Sequence, residues 1–262
     1  MSEAEETAPE TTAEKRPRSL GRKILGAVGE IGALLAVALV IIIVMRSFIA
    51  QMFVIPSGSM ENTLQVGDRV IVSKIGGFQR GDVVVFADPG TWLPPSTKDT
   101  SPAKQVLEFI GILPNSGVEY LIKRVIGMPG DRVKCCTEDG AVTVNGTAID
   151  ESSYLFTESG VQVVPSSVTF DVVVPEGHLF VMGDHRNASA DSRCRLQQDG
   201  TSGVKGAAAF VPRDKVVGAA VAIVAPLDRL ATFRVPEVYA SVPDPTEPPP
   251  ADPVILEAPP GC

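Results

Sequence analysis

The chain has 262 residues, 44% of them hydrophobic, and a formal net charge of −8 at pH 7. That length holds one sizeable core or two small ones. The acidic balance, with Lys and Arg scattered or gathered beside one apolar run, excludes a nucleic-acid partner, because binding phosphates needs a basic face.

Residues 1–14 are acidic and rich in Ala, Thr and Glu without hydrophobic periodicity, so residues 1–23 read as a disordered tail. From 24 to 45 the chain is apolar except for Glu30. About 22 residues at roughly 1.5 Å each give about 33 Å, against a hydrocarbon core of about 30 Å, which predicts a spanning helix over 24–46. Glu30 falls in its first third, where a carboxylate reaches the headgroups. The run is too long and too uniformly apolar for the amphipathic helix of a soluble core. A charged leader before it, and Arg46-Ser47-Phe48 after it in place of a small-x-small site, speak against a cleavable leader. Lys15, Arg16, Arg18, Arg22 and Lys23 precede the run, while only Arg46 follows it before Arg69. The positive-inside rule then puts the N-terminus in the cytoplasm and everything after residue 46 outside. In that oxidising compartment a disulfide between Cys194 and either Cys135 or Cys136 is admissible; neighbouring cysteines rarely bridge each other, so one of the adjacent pair is expected free. The four cysteines lack the paired spacing of a zinc site, and no metal is expected.

Residues 47–235 read as a β-rich domain. Short β-branched runs at 68–74, 81–86, 119–125, 141–144 and 178–182 are each bounded by Gly, Pro or Asp. Asp139-Gly140 and Asn145-Gly146 flank the fourth run as two-residue hairpin turns would, which predicts a meander. Asn145-Gly-Thr also matches a glycosylation sequon, but the turn accounts for it. Residues 89–117 fit no strand. They hold the single tryptophan, Trp92, and an apolar patch at 106–113, read either as a satellite core under a long loop or as a segment resting on lipid near the anchor. Residues 197–206 are polar and Gly-rich and predict a mobile loop. From 236 to 262 repeated prolines and acidic residues, with no Lys or Arg, read as a disordered tail.

Three stretches carry chemistry. Residues 55–60, I-P-S-G-S-M, place two hydroxyls, Ser57 and Ser59, on a Gly-containing turn directly after the anchor. Residues 120–133, Y-L-I-K-R-V-I-G-M-P-G-D-R-V, set Lys123 inside an apolar strand that turns at Pro129-Gly130. If that lysine is buried, desolvation lowers its pKa from roughly 10.4 toward 7–8, where a neutral amine accepts a serine proton. Residues 182–193, M-G-D-H-R-N-A-S-A-D-S-R, form a loop dense in hydrogen-bonding groups that would orient the amine through a serine and pin itself by pairing Asp191 with Arg193 or Arg186. Each stretch alone fits an ordinary loop, turn or solvent-facing lysine.

Together the three resemble the signal peptidase I family, over the anchor and most of residues 47–193. The resemblance implies a mainly β catalytic domain outside the membrane behind one N-terminal transmembrane helix. It implies Ser59 as nucleophile, Lys123 as general base, and Ser57 with the Ser59 backbone as oxyanion hole. Ser189 corresponds to the serine that orients the lysine, Asp191 and Arg193 to a structural pair, and Ile55 and Ile122 to side chains shaping shallow substrate pockets. Residues 80–86, R-G-D-V-V-V-F, resemble a further family strand. The implied substrates are secretory preproteins cut after small-x-small sites beside membrane lipid, with no metal or organic cofactor. His185, Asn187 and Ala188 depart from the family loop, which often reads G-D-N-R-D-N-S, and residues 194–198 depart after D-S-R. A Ser-His-Asp triad through His185 is disfavoured because Lys123 fills the base role. Competing readings are a self-cleaving Ser/Lys repressor-type protease, which the spanning helix opposes, and a non-enzymatic anchored β scaffold.

Overall fold

The computed structural model describes residues 20–90, 92–94, 101, 119–201 and 203–259. The chain divides into a unit ending at Ile43 and a second beginning at Val44. Helix α1 (Leu20–Val44) dominates the first. The stretch Ala27–Ile49 is long and apolar enough to cross a membrane, and none of its apolar window is buried. A soluble core helix would bury one face, so that alternative is set aside.

The second unit is built on antiparallel strands. In the first sheet, β1 (Ala50–Val54), β2 (Arg69–Ser73), β3 (Val83–Ala87) and β4 (Tyr120–Gly127) are the early strands. The second sheet takes β5 (Arg132–Cys135), β6 (Val142–Val144) and β7 (Thr147–Ala148), and β8 (Thr157–Glu158) with β9 (Val161–Gln162) makes a separate hairpin. Then follow β10 (Phe170–Val173), β11 (His178–Met182), β12 (Val211–Pro212), β13 (Val216–Ala225), β14 (Ala231–Thr232) and β15 (Val254–Glu257). The first sheet runs β1-β2-β13-β3-β4-β11-β12, with β14 on β13; the second runs β15-β10-β5-β6-β7. The largest core joins Ile126, Phe180 and Met182 of the first sheet to Val133, Val142 and Val172 of the second. The five strand runs read from the sequence are β2, β3, β4, β6 and β11. Their bounding Gly and Asp end the β-branched pleat where the alternation stops.

Several expectations are corrected. Asn145 and Gly146 both have positive φ, 51° and 81°, and make the predicted tight turn between β6 and β7. Asp139-Gly140 is no two-residue turn: residues 136–141 form a wider loop in which Thr137 N–H donates to the Ala141 carbonyl. The Asn145 amide is engaged with Asp131 and the Pro243 carbonyl. Cys135 and Cys136 are bridged to each other, so Cys194 pairs with neither and none of the described cysteines is free. Trp92 is buried, edge-on to Phe86, with its indole N–H donating to the Ala208 carbonyl at 2.8 Å. It belongs to a satellite core rather than to a lipid-facing patch; residues 106–113 lie outside the described residues.

The largest correction concerns the segment from Pro236. A 3-10 turn, Glu237–Ser241, buries Tyr239, and β15 pairs with β10. Proline there satisfies backbone geometry along an extended strap, since it needs no amide partner. Composition alone reads such a strap as disorder.

Candidate active site

Beyond β1, the Ile55 N–H donates to the Asp68 carbonyl and the Gly67 N–H to the Ile55 carbonyl, both at 2.9 Å, closing residues 55–68 into a loop. Asp68 is held by a two-pronged pair with Arg229, at 2.8 and 2.9 Å. Met60 and Leu64 anchor the loop in an apolar cluster with Ile55, Val83, Val85 and Ile122. Between these anchors Gly58–Met60 makes one 3-10 turn, entered from an extended Ser57 whose side chain stays exposed. A Cβ on Gly58 would sit 2.8 Å from the Glu61 carboxyl carbon, so any larger residue there has to displace that side chain.

That turn delivers Ser59 onto β4. The Lys123 ammonium donates to Ser59 Oγ at 2.5 Å and to the Ile122 carbonyl at 3.0 Å. Lys123 is 4% exposed and Ser59 7%. No carboxylate pairs with the ammonium among the described residues. Burial lowers the Lys123 pKa to about 8, against the more distant pull of Asp191 and Asp184, which raise it. A buried amine with that pKa, touching a hydroxyl, is the arrangement a lysine base requires.

The loop after β11 closes the site from the other side. The His185 N–H donates to the Ser59 carbonyl at 3.1 Å, tying the loop to the nucleophile turn. Asp184 takes a two-pronged pair from Arg124 at 2.8 and 2.6 Å and a hydrogen bond from Thr63 Oγ1 at 2.5 Å. Asp191 accepts from the Gly183 N–H and from Arg193 Nε and Nη2, each at 2.9 Å. Although burial pushes its carboxyl up, the Arg193 guanidinium and these donors hold it below the usual range. Arg186 donates to Gly183's carbonyl at 2.9 Å and pairs with Glu151 through both guanidinium ends, at 2.8 and 2.5 Å.

The structure therefore brings Ser59 and Lys123 into contact and joins Asp191 to Arg193 as expected. It buries Ile55 and Ile122 in one cluster beneath the turn, and leaves Ser57 exposed beside Ser59. Ser189 is buried against Gly183, close enough to Asp191 to help lower its carboxyl, but its hydroxyl makes no well-formed hydrogen bond and does not reach Lys123, whose second bond goes to the Ile122 carbonyl. His185 is occupied elsewhere: Nδ1 lies 3.0 Å from Glu61 Oε2 and the ring stacks on Phe156 at 4.0 Å. Sequence reasoning missed Arg124, Thr63, Asp184 and Glu151. A second cation beside Lys123 on an apolar strand was the available signal for Arg124. Glu151 carried none, because its partner is distant in sequence.

Compared with known proteins, residues 28–225 match the family model described as signal peptidase, peptidase S26. The chain is similar to the signal peptidase I of Mycobacterium tuberculosis, at 36% identity over 228 residues covering 78% of this chain and 75% of that one. It is also similar to a probable signal peptidase I-2 of Synechocystis, at 33% identity over 195 residues covering 73% and 70%. A crystal structure of a signal peptidase I from Enterococcus faecalis aligns with a TM-score of 0.32 at 21% identity, covering 55% of this chain and 97% of that one, a likeness too loose to bear on the site.

Proposed function

We propose that this chain, which belongs to the signal peptidase family (peptidase S26) and is a membrane serine endopeptidase that removes signal peptides, works with Ser59 as nucleophile and Lys123 as general base. The observation that carries the assignment is the buried 2.5 Å contact between the two side chains, made by a lysine with no carboxylate partner among the described residues. Neutral Lys123 takes the Ser59 proton and Oγ attacks the carbonyl at the cleavage site. The Ser59 N–H and the Ser57 hydroxyl receive the oxyanion, and the protonated lysine hands its proton to the leaving amine. Water then repeats the sequence on the acyl-enzyme with Lys123 again as base. Asp191 and Arg193 hold the loop, and Ser189, whose buried hydroxyl has no well-formed hydrogen bond of its own, orients the amine. Ile55 and Ile122 shape the pockets that admit small residues on either side of the x in small-x-small sites.

In this reading α1 spans the membrane with its N-terminus in the cytoplasm, and the domain from residue 47 works outside beside lipid. Sharing that surface with secretory preproteins raises their effective concentration. No step calls for a cofactor.

Activity is expected to rise with pH as Lys123 loses its proton near 8. The test is cleavage of a purified preprotein with an A-x-A site by the detergent-solubilised full chain. Wild type should cut, while Ser59→Ala and Lys123→Met should leave no activity above background with their melting transitions retained. Efficient cleavage by Lys123→Met would overturn the dyad.

A further inference from the structure

The strap from Pro236 is polar and proline-rich, yet it drives one aromatic ring into the fold. Tyr239 is buried, and its ring lies against Gly81, where an added Cβ would be 2.5 Å from Tyr239 Cδ2. Gly81 has φ +85°, so this close approach is one that glycine alone allows. The Gly81 carbonyl accepts a hydrogen bond from Arg124 Nη1 at 2.7 Å, and Arg124 is the neighbour of Lys123 on β4.

The phenol takes a second route. Tyr239 and Tyr154 are bonded oxygen to oxygen at 2.8 Å, and Tyr154 donates to Glu151 Oε1 at 2.6 Å, so the Tyr239 hydroxyl is the donor of the pair. Glu151 holds Arg186, and Arg186 holds the Gly183 carbonyl on the loop that abuts Ser59. The Tyr154 ring also carries the Arg124 guanidinium 4.1 Å above its centroid. One side chain of the strap thus supports both sides of the site, β4 through Gly81 and the 183–193 loop through Tyr154, without bonding to Ser59 or Lys123.

We propose that Tyr239 is a positioning residue for the peptidase reaction, holding Arg124 and the 183–193 loop in place from outside the site, so that the C-terminal strap is part of the catalytic apparatus. The inference rests on the Ser59/Lys123 reading above. A strap that merely covered apolar surface would need an aromatic ring at Tyr239 but not its hydroxyl, and no link from it to the loop.

Tyr239→Phe keeps the ring on Gly81 and removes only the donor. In the full chain it is expected to lower kcat about fivefold, the worth of one hydrogen bond to an aligned loop, with KM within about twofold. Tyr154→Phe should match it. The double variant should be no worse than either single, since both hydroxyls act in one chain. Tyr239→Ala should fall further. The acid limb of the kcat–pH profile should move up in Tyr239→Ala, because burial is what lowers the Lys123 pKa and a loosened site admits water. Wild-type kcat and an unmoved limb in both Tyr239 variants, with only the melting temperature reduced, would make the strap structural and overturn the proposal. If Tyr239→Ala does not fold, Tyr239→Phe decides alone. A wild type that does not cut would sink the dyad reading, whereas a wild type that cuts no better than Tyr239→Phe sinks this inference only.

Discussion

Lys123 and Arg124 are consecutive cations on β4, 4% and 3% exposed, and a strand turns neighbouring side chains to opposite faces. The fold treats the two charges in opposite ways. Arg124 meets both oxygens of Asp184, the Gly81 carbonyl and the Tyr154 ring, and against its burial Asp184 holds the guanidinium pKa above its ordinary value. Lys123 meets a hydroxyl and one carbonyl. A buried cation that must stay charged is given a carboxylate; one that must release its proton is denied it. The largest effect should come from breaking the first arrangement. Asp184→Ala strands the Arg124 charge in the interior and is expected to destabilise by about 3–5 kcal/mol in a urea melt, with Arg124→Met on the same chain recovering much of the loss. Full stability in Asp184→Ala would mean that Arg124 is not paired as described.

The second arrangement should respond with the opposite sign. The folded Lys123 pKa is about 8, and an unfolded lysine has about 10.4. Between those values the unfolded chain binds more protons, so wild-type stability rises with pH across that window and the penalty of the buried charge is fully present below it. Lys123→Met lacks the penalty. It is expected to be more stable than wild type at pH 7 by on the order of 3 kcal/mol, with the difference closing toward pH 10. Melting both proteins across that range checks it, and a difference independent of pH would show that Lys123 is not the desolvated amine the geometry implies.

How far this contrast was legible in the sequence depends on the range of the interaction involved. The apolar alternation around Lys123 and the turn residues around Ser59 are local patterns, and each put its strand or turn in the right place. Arg124 escaped notice because its partner Asp184 is fixed only by the pairing of β4 with β11. The pairing of Glu151 with Arg186 escaped because the two lie 35 residues apart, and Arg186 was weighed only as a partner for Asp191. The strap was misread for another reason. Its composition is that of a solvated segment, while its order comes from Tyr239, Val242 and the pairing of β15 with β10, a few anchors that averaging over the window dilutes. Trp92 was left between two readings because nothing local announces the Ala208 carbonyl that receives its N–H. The Ser189 hydroxyl follows from resemblance, not from pattern, and its contact with Lys123 is an expected link that the structure does not make.

The smallest effect belongs to the outermost charge at the site. His185 lies against Glu61 with the two side chains 15% and 34% exposed, so water screens this pair as it does not screen Arg124 and Asp184. A polar contact this open to solvent contributes about 0–1 kcal/mol. Glu61→Gln, which keeps an acceptor in place, should therefore change stability by less than about 1 kcal/mol. His185→Asn keeps the backbone N–H that binds the Ser59 carbonyl and gives up only the ring, and it is expected to cut a preprotein within about threefold of wild type. Lys123→Met measured beside it sets the scale. If His185→Asn instead loses activity as completely as Lys123→Met, the imidazole is acting on the proton of Ser59, and the division between a carboxylate-paired Arg124 and an unpaired base at Lys123 no longer describes the site.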